Sequence, residues 1–130
     1  MDNAYELLSS IDRSKLKLAI YSNGDERLHQ VLDDLQIASF FDLILTSAET
    51  GLEKPRPEAF VRMMKIAKIR DPTEVMHIGD HHEKDYLASK RLNINGILLA
   101  DKCPTGVPKH EHASDLYEVQ NILHSLNLSY

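Results

Sequence analysis

An apolar run that ends in glycine and aspartate constrains the fold of this 130-residue chain more than any other segment. Residues 75–79 are mostly apolar, and they are followed by Asp80 and, five positions later, by Asp85. Such a run predicts a buried strand of a parallel sheet, and Gly79 lets the chain turn sharply where the strand ends. Ligands of open α/β sheets bind just beyond the carboxyl ends of the strands. Two carboxylates there are hard oxygen ligands that suit Mg²⁺, although an aspartate at this place can also serve only as a turn residue or helix cap.

Segments with strand character alternate with segments of helical spacing along the rest of the chain. The predicted strands are residues 16–21, 42–46, 75–79 and 97–100. Two predicted helices cover residues 2–11 and 84–92. Three further helices are predicted from inner faces formed by Leu28, Val31, Leu32 and Leu35, then by Phe60, Met63, Met64 and Ala67, and finally by Leu116, Val119, Leu123 and Leu126. Residues 101–114 are predicted to be a loop. The alternation predicts an α/β fold with a mainly parallel sheet and helices on both faces.

The composition excludes several classes of function. A net charge of −5 and a pI near 5.8 argue against a nucleic-acid-binding surface, which needs clustered Lys and Arg. No apolar segment approaches the ~20 residues that span a membrane, and the N-terminus has no signal-peptide pattern. The single cysteine, Cys103, cannot form an internal disulfide, as is typical of a reducing compartment. We therefore expect a soluble cytoplasmic domain that binds neither nucleic acid nor membrane.

Polar groups follow three of the predicted strands, and they can converge on one ligand. Ser22 offers a hydroxyl, and the amides of Asn23 and Gly24 open a helix N-terminus, which attracts phosphate. Lys54 supplies a positive charge after the second strand. Asp80 follows the third strand, and Asp85 comes five positions later. Together these groups would clamp a phosphoryl group and its metal ion. Each group alone has a simpler explanation, as a helix cap or as a solvated loop charge.

Three segments resemble motifs of the haloacid dehalogenase (HAD) superfamily of hydrolases, which are mostly Mg²⁺-dependent phosphatases. The first runs from Leu18 to Asn23, the second from Gly51 to Phe60, and the third from His77 through Asp85. They are similar, in order and spacing, to the second, third and fourth motifs of the family. Within the superfamily the chain is most similar to the haloacid dehalogenase-like hydrolase domain-containing proteins. The resemblance implies a HAD-like Rossmannoid three-layer sandwich with a mainly parallel sheet.

The same resemblance implies a role for each matching residue. Ser22 would hydrogen-bond the phosphoryl oxygens of a small-molecule phosphate ester, with the amide of Asn23 beside it. Lys54 would neutralise charge on the nucleophile and on the phosphoryl group. Asp80 would ligate Mg²⁺ directly, and Asp85 would either hold the metal through water or orient Lys54.

The family's first motif, an apolar strand that ends in Asp-x-Asp and supplies the nucleophile, is not found at any aspartate of this chain. We therefore expect residues 1–130 to be a partial core domain that lacks the nucleophile strand and the cap. Residues 1–12 would be the helix that leads out of the cap, and residues 13–130 would be the core. The chain alone is expected to be inactive, as the C-terminal part of a phosphatase that acts through an aspartyl-phosphate. The alternative is a non-catalytic module, a short isoform or pseudoenzyme, that binds Mg²⁺ and phosphate or a protein partner.

Two further expectations concern the sheet edges and the histidines. In the family the first strand lies between the strands predicted at 16–21 and 75–79, so its loss would leave unpaired edges that favour self-association. His77, His81 and His82 lie near the two carboxylates, which leaves a zinc site as an alternative. Against zinc, His77 lies within the strand while the other two are neighbours in a loop.

Overall fold

A computed structural model of the chain describes residues 4–12, 14–22, 27–52, 54 and 56–128. Five strands are present in this part of the chain: β1 Ala19–Ser22, β2 Leu43–Thr46, β3 Met76–Gly79, β4 Asn95–Leu99 and β5 His112–Ala113. The α-helices are α1 Ala4–Ser10, α2 Arg27–Asp34, α3 Ser47–Thr50, α4 Pro57–Ile66, α5 Ala88–Arg91 and α6 Leu116–Ser125. A π-helical segment, His82–Leu87, leads directly into α5, and short 3₁₀ turns lie at Ala38–Phe40, Pro72–Glu74 and Lys109–Glu111.

The strands form two separate parallel sheets. β1 pairs with β2, so that Ser22 lies opposite Thr46, and the second sheet has the order β3-β4-β5. Within the described residues no strand lies between β1 and β3. The predicted α/β fold with parallel strands is therefore confirmed, and the described strands are divided between β1 and β3, where the sequence predicts that a strand is missing.

Three apolar clusters pack against the sheets, and the smallest of them joins Tyr86, Leu98 and Val107. One cluster is built on α1, α2 and α6, and it packs against Ile20, Ile44, Ile78 and Ile97. A second is built on α4 and α5, and it includes Tyr21, Leu45, Phe60 and Ile94. The first cluster touches strands of both sheets, and Phe60 of the second contacts His77 of β3, so the two sheets form one layer between two layers of helices.

The structure corrects several boundaries of the predicted elements. The first strand begins at Ala19 rather than at residue 16, because the Asp12 carbonyl accepts the amides of Lys15 and Leu16 and holds that segment in a turn. The predicted helix at 84–92 begins earlier, as the π-helical segment. The predicted loop 101–114 contains β5, a two-residue strand too short for a periodic pattern: Ala113 is fully buried, and its carbonyl accepts the Ala100 amide at 2.9 Å.

Three residues assigned to inner helix faces are instead exposed. Val31 and Leu35 are about half exposed, because α2 ends at Asp34 and buries only Leu32 fully. Leu126 is also half exposed, because α6 ends one residue before it. In the part of the chain that is described, no helix combines the length and the apolar character needed to cross a membrane.

Candidate functional site

A buried ion pair joins the loop after β2 to the segment after β3. The Lys54 ammonium donates to Oδ1 of Asp85 at 2.6 Å. The two side chains are only 11% and 7% exposed. Charges this deeply placed are costly unless they are paired and hydrogen-bonded. Of the two roles expected for Asp85, a bond to the metal through water or the orientation of Lys54, the structure contains the contact with Lys54.

Two further donors converge on the same carboxylate. Nε2 of His77 lies 2.9 Å from Oδ1 of Asp85, and the His81 amide donates to Oδ2 at 3.1 Å. An ionised carboxylate only accepts hydrogen bonds, so Nε2 of His77 carries the proton. Burial alone would raise the pKa of Asp85, but the hydrogen bonds from His77 and Lys54 and the charge of Lys54 hold that pKa well below its usual range. Asp85 is therefore a carboxylate at neutral pH.

Gly79 creates the space in which this carboxylate lies. A Cβ placed on residue 79 would overlap the Cβ and carboxyl group of Asp85. Asp85 itself is brought back over the end of β3 by the π-helical segment, whose first turn is capped by His81: Nδ1 of His81 accepts the Lys84 amide at 3.1 Å. Single π-helical turns are rare and occur frequently at functional sites. The glycine is thus required for close packing as well as for the turn.

The sequence placed His77 near the two carboxylates only as a candidate zinc ligand, and its hydrogen bond to Asp85 was not predicted. The signal was present in the alternation of the strand. Residues 77 and 79 point to the same face, so a carboxylate lying over Gly79 is adjacent to the side chain at 77. The ring of His77 is also fixed by an edge-on contact with Phe60, with ring centroids 5.1 Å apart.

The end of β1 is connected to the same loop through Tyr21. The hydroxyl of Tyr21 lies 2.6 Å from Oγ1 of Thr50 and donates to the Leu52 carbonyl, two residues before Lys54. Ser22 follows Tyr21 directly and is half-buried at the end of the strand. The predicted phosphate-binding residue Asn23 lies outside the described residues. Ser22 therefore directly follows a residue that is bonded to the loop that holds Lys54.

Asp80 is the exposed carboxylate of the cluster. It follows Gly79 at the carboxyl end of β3, and it makes no hydrogen bond or ion pair with another described residue. Within the described ranges, no group of three or more His, Cys, Asp or Glu side chains could hold a metal ion. A Mg²⁺ ion is usually held by one or two carboxylates together with waters and substrate phosphate. Asp80 therefore suits Mg²⁺ as one ligand, and the described residues do not form a complete metal site.

The histidines that suggested zinc are each engaged in other contacts. His77 bonds Asp85, and Nδ1 of His81 caps the π-helical segment. The ring of His82 is stacked on Tyr86, with centroids 6.0 Å apart and planes inclined by 10°. These three side chains are not gathered around one point.

The arrangement can perform a limited set of chemical tasks. It presents the desolvated ammonium of Lys54 at a fixed position, the exposed carboxylate of Asp80 at the end of β3, and the half-buried hydroxyl of Ser22 at the end of β1. Fixed positive charge in a site sheltered from water stabilises anionic groups more strongly than it would in solution. A phosphate with a divalent cation matches this combination of charges.

Comparison with known proteins identifies the relatives of this chain. Residues 1–99 match the family model of the haloacid dehalogenase-like hydrolases. The haloacid dehalogenase-like hydrolase domain-containing protein 3 of Bos taurus is 32% identical over 104 residues, which are 80% of this chain and 41% of that protein. The chain thus spans about two fifths of the length of this relative.

Solved structures show the same fold. A HAD phosphatase from Thermococcus onnurineus superposes with a TM-score of 0.83 at 20% identity, covering 95% of this chain and 57% of that one. The HAD hydrolase YfnB from Bacillus subtilis, whose structure contains magnesium, superposes with a TM-score of 0.81 at 23% identity, covering 98% of this chain and 55% of that one.

Proposed function

Because the chain belongs to the haloacid dehalogenase-like hydrolases, we propose that it supplies part of the active site of a Mg²⁺-dependent hydrolase of small phosphate esters. The observation that carries the proposal is the buried Lys54–Asp85 ion pair, which lies beside the exposed Asp80. A surface ion pair would contribute little and would be replaceable. A desolvated ion pair next to the carboxyl end of a strand is the arrangement that an anionic substrate requires.

In this proposal Lys54 is the phosphate-binding cation and Asp85 is its positioning residue. The 2.6 Å bond to Asp85 fixes the ammonium, and His77 and the His81 amide fix Asp85 in turn. The hydroxyl of Ser22 would donate to a phosphoryl oxygen from the end of β1, with the amide of Asn23 beside it.

Asp80 would contribute one oxygen ligand to Mg²⁺. The structure of the relative YfnB contains magnesium, and this supports the assignment. When bound, the ion would neutralise charge on the phosphate oxygens. With Asp85 committed to Lys54, the remaining ligands would come from water, from the substrate and from polypeptide other than the described residues.

The nucleophile of the reaction is not among the residues named above. A carboxylate that attacks phosphorus must lie at the phosphate, opposite the leaving group. We assign it to an aspartate outside residues 1–130, so that these residues alone bind the metal and phosphate but turn over no substrate. Phosphatase activity and the aspartyl-phosphate intermediate are thus properties of the complete site.

Metal binding at Asp80 tests the proposal directly. Mn²⁺ is added as a paramagnetic substitute for Mg²⁺, and broadening of backbone amide signals in NMR spectra locates the ion. We expect the signals of residues 79–82 to broaden first and to recover when excess Mg²⁺ is added. Asp80→Asn should weaken Mn²⁺ binding by about tenfold or more, since loss of an outer-shell partner alone costs about 10–100-fold.

The matched control is Asp101→Asn, which removes an exposed aspartate from the loop after β4. This variant should bind Mn²⁺ as the unmodified chain does. Broadening that is centred elsewhere, or that survives Asp80→Asn, would contradict the proposed site. So would turnover of para-nitrophenyl phosphate by this chain that persists in the Asp80→Asn variant.

A further inference from the structure

A closed ring of three hydrogen bonds fixes the backbone of Leu52, two residues before Lys54. The hydroxyl of Tyr21 donates to the Leu52 carbonyl. The Leu52 amide donates to Oγ1 of Thr50 at 3.2 Å, and this oxygen lies 2.6 Å from the hydroxyl of Tyr21. Both backbone polar groups of Leu52 are therefore bonded to side-chain hydroxyls.

The chemistry of the groups gives each bond of the ring a direction. A carbonyl only accepts, so the single hydroxyl proton of Tyr21 points to Leu52. The Leu52 amide only donates, so Oγ1 of Thr50 accepts that bond. We assign the proton of Thr50 to the Tyr21 oxygen, which at 2.6 Å is nearer than the Thr46 carbonyl at 3.2 Å. Each hydroxyl of the ring thus donates once and accepts once, and bonds linked in this way strengthen one another.

The ring of hydrogen bonds is attached to the apolar core. Tyr21 is 7% exposed and belongs to the cluster that contains Phe60. The side chain of Leu52 packs against the same cluster. A hydroxyl or carbonyl sheltered in this way is costly to leave without a partner. The loop is therefore held firmly at Leu52.

Tyr21 connects two groups that the proposed function brings to one phosphate. Its backbone lies in β1, where it is paired with Leu45, and it directly precedes Ser22. Its hydroxyl holds the loop that carries Lys54. The rigid side chain of Tyr21 therefore acts as a spacer between the strand end with the Ser22 hydroxyl and the loop with the ammonium.

We infer that Tyr21, together with Thr50, is a positioning residue for Lys54: the ring of hydrogen bonds holds the loop so that the ammonium reaches both Asp85 and a bound phosphate. The inference rests on the proposed function. Asp85 fixes the ammonium at one end of the lysine side chain, and the ring at Leu52 fixes the backbone near the other end. A lysine side chain has many rotamers, so attachment at both ends is needed to hold its charge in one place.

The competing explanation is that the ring only stabilises the fold. In that case the loss of a hydroxyl would lower the free energy of unfolding without a specific effect on phosphate binding. The two explanations are separated by a binding constant and a signal of the ammonium itself, each compared with stability in urea.

Tyr21→Phe tests the inference, because it removes the hydroxyl and leaves the aromatic ring. The dissociation constant of inorganic phosphate is measured by calorimetry in the presence of Mg²⁺, and the ¹⁵N-ammonium signal of Lys54, assigned with Lys54→Met, is followed by NMR. Tyr21→Phe should weaken phosphate binding by about three- to tenfold, the size expected for the loss of one hydrogen bond. The Lys54 signal should broaden, because a loosened ammonium exchanges its protons with water faster.

Thr50→Val is a second variant that interrupts the ring, and it should have the same two effects. Thr50→Ser keeps the hydroxyl and should behave as the unmodified chain does. The matched control is Tyr86→Phe, which removes the hydroxyl of another buried tyrosine, bonded to Oε2 of Glu111 at 3.1 Å. This control should lower the stability in urea while the phosphate affinity and the Lys54 signal stay unchanged.

Loss of phosphate affinity in Tyr21→Phe and Thr50→Val, with retention in Thr50→Ser and Tyr86→Phe, supports the inference. Unchanged affinity in either Tyr21→Phe or Thr50→Val overturns it, and so does an equal loss in Tyr86→Phe, which would assign the effect to general loosening of the fold. If the unmodified chain binds no phosphate, or if Lys54→Met binds it equally well, the proposed function fails and the inference fails with it. Binding that depends on Lys54 but not on Tyr21 overturns the inference alone.

Discussion

The Lys54–Asp85 pair makes a quantitative prediction about stability. We consider a double-mutant cycle with Lys54→Met, Asp85→Asn and the double variant, with the free energy of unfolding measured in urea at neutral pH. At 2.6 Å, Coulomb's law with an effective dielectric constant of about 20 gives an attraction of about 6 kcal/mol. The desolvation of each single ion cancels in the cycle, and relaxation around the unpaired charge in each single variant lowers the coupling below this upper value. We therefore expect a coupling free energy of about 2–3 kcal/mol, within the range measured for residues in contact.

The pair between Lys90 and Glu111 is the matched control. Its nitrogen–oxygen distance is also 2.6 Å, but its lysine is 42% exposed. Solvent screens such a pair, so the cycle with Lys90→Met and Glu111→Gln should give a coupling of at most about 1 kcal/mol. Equal coupling in the two cycles would show that distance rather than burial sets the energy, and would refute the reasoning.

The pH dependence supplies an independent check on the same pair. The folded-state pKa of Asp85 is held below its unfolded value, so at acid pH the unfolded chain binds the proton more readily. The stabilisation by Asp85 is therefore complete above its unfolded pKa of about 4 and is lost as the pH falls below that value. The difference in stability between the unmodified chain and Asp85→Asn should shrink below about pH 4. A difference that stays constant down to the lowest pH at which the chain folds would contradict this sign.

Three further variants test the packing and capping around the site by urea denaturation. Gly79→Ala should destabilise the chain by about 1–3 kcal/mol, because its methyl group displaces Asp85; unchanged stability would mean that the carboxylate is not held over the glycine. Phe60→Ala should cost about 3–5 kcal/mol because the ring is 2% exposed, whereas Val61→Ala on the exposed side of α4 should change stability by less than about 0.5 kcal/mol. Asp115→Ala removes the side chain that accepts the Glu118 amide at the start of α6, and it should cost about 1 kcal/mol, with a larger loss pointing to contacts beyond the cap.

Most of the architecture could be predicted because long periodic segments determine it. The helix that begins at Pro57 has Phe60 and Met63 buried as its spacing predicts, and Pro57 occupies the first turn. Short or irregular elements could not be predicted in this way. The strand at His112–Ala113 is too short to show an alternation of apolar and polar residues. The π-helical segment contains residue types that are equally common in α-helices, so its sequence does not distinguish the two. The π-helical segment is wound more widely than an α-helix, and this places Asp85 over Gly79. That contact is tertiary, so the local sequence pattern does not predict it.

The residues of the candidate site could be predicted from the sequence, but the contacts between them could be predicted only in part. Lys54 and Asp85 were selected for their charge and their position after strands, and the structure joins them. His77 was considered only as a candidate zinc ligand, and its hydrogen bond to Asp85 was not predicted. Its contact with Asp85 depends on the missing side chain at Gly79, so it becomes visible only when strand alternation and glycine packing are considered together.

The ion pair also connects the two sheets. Lys54 follows β2 of the first sheet, and Asp85 follows β3 of the second, so their bond joins the two sheets at the carboxyl ends of their strands. The hydroxyl of Tyr21, in β1, is bonded to the Leu52 carbonyl in the loop that holds Lys54. It follows that the candidate site and the connection between the two sheets depend on the same ion pair.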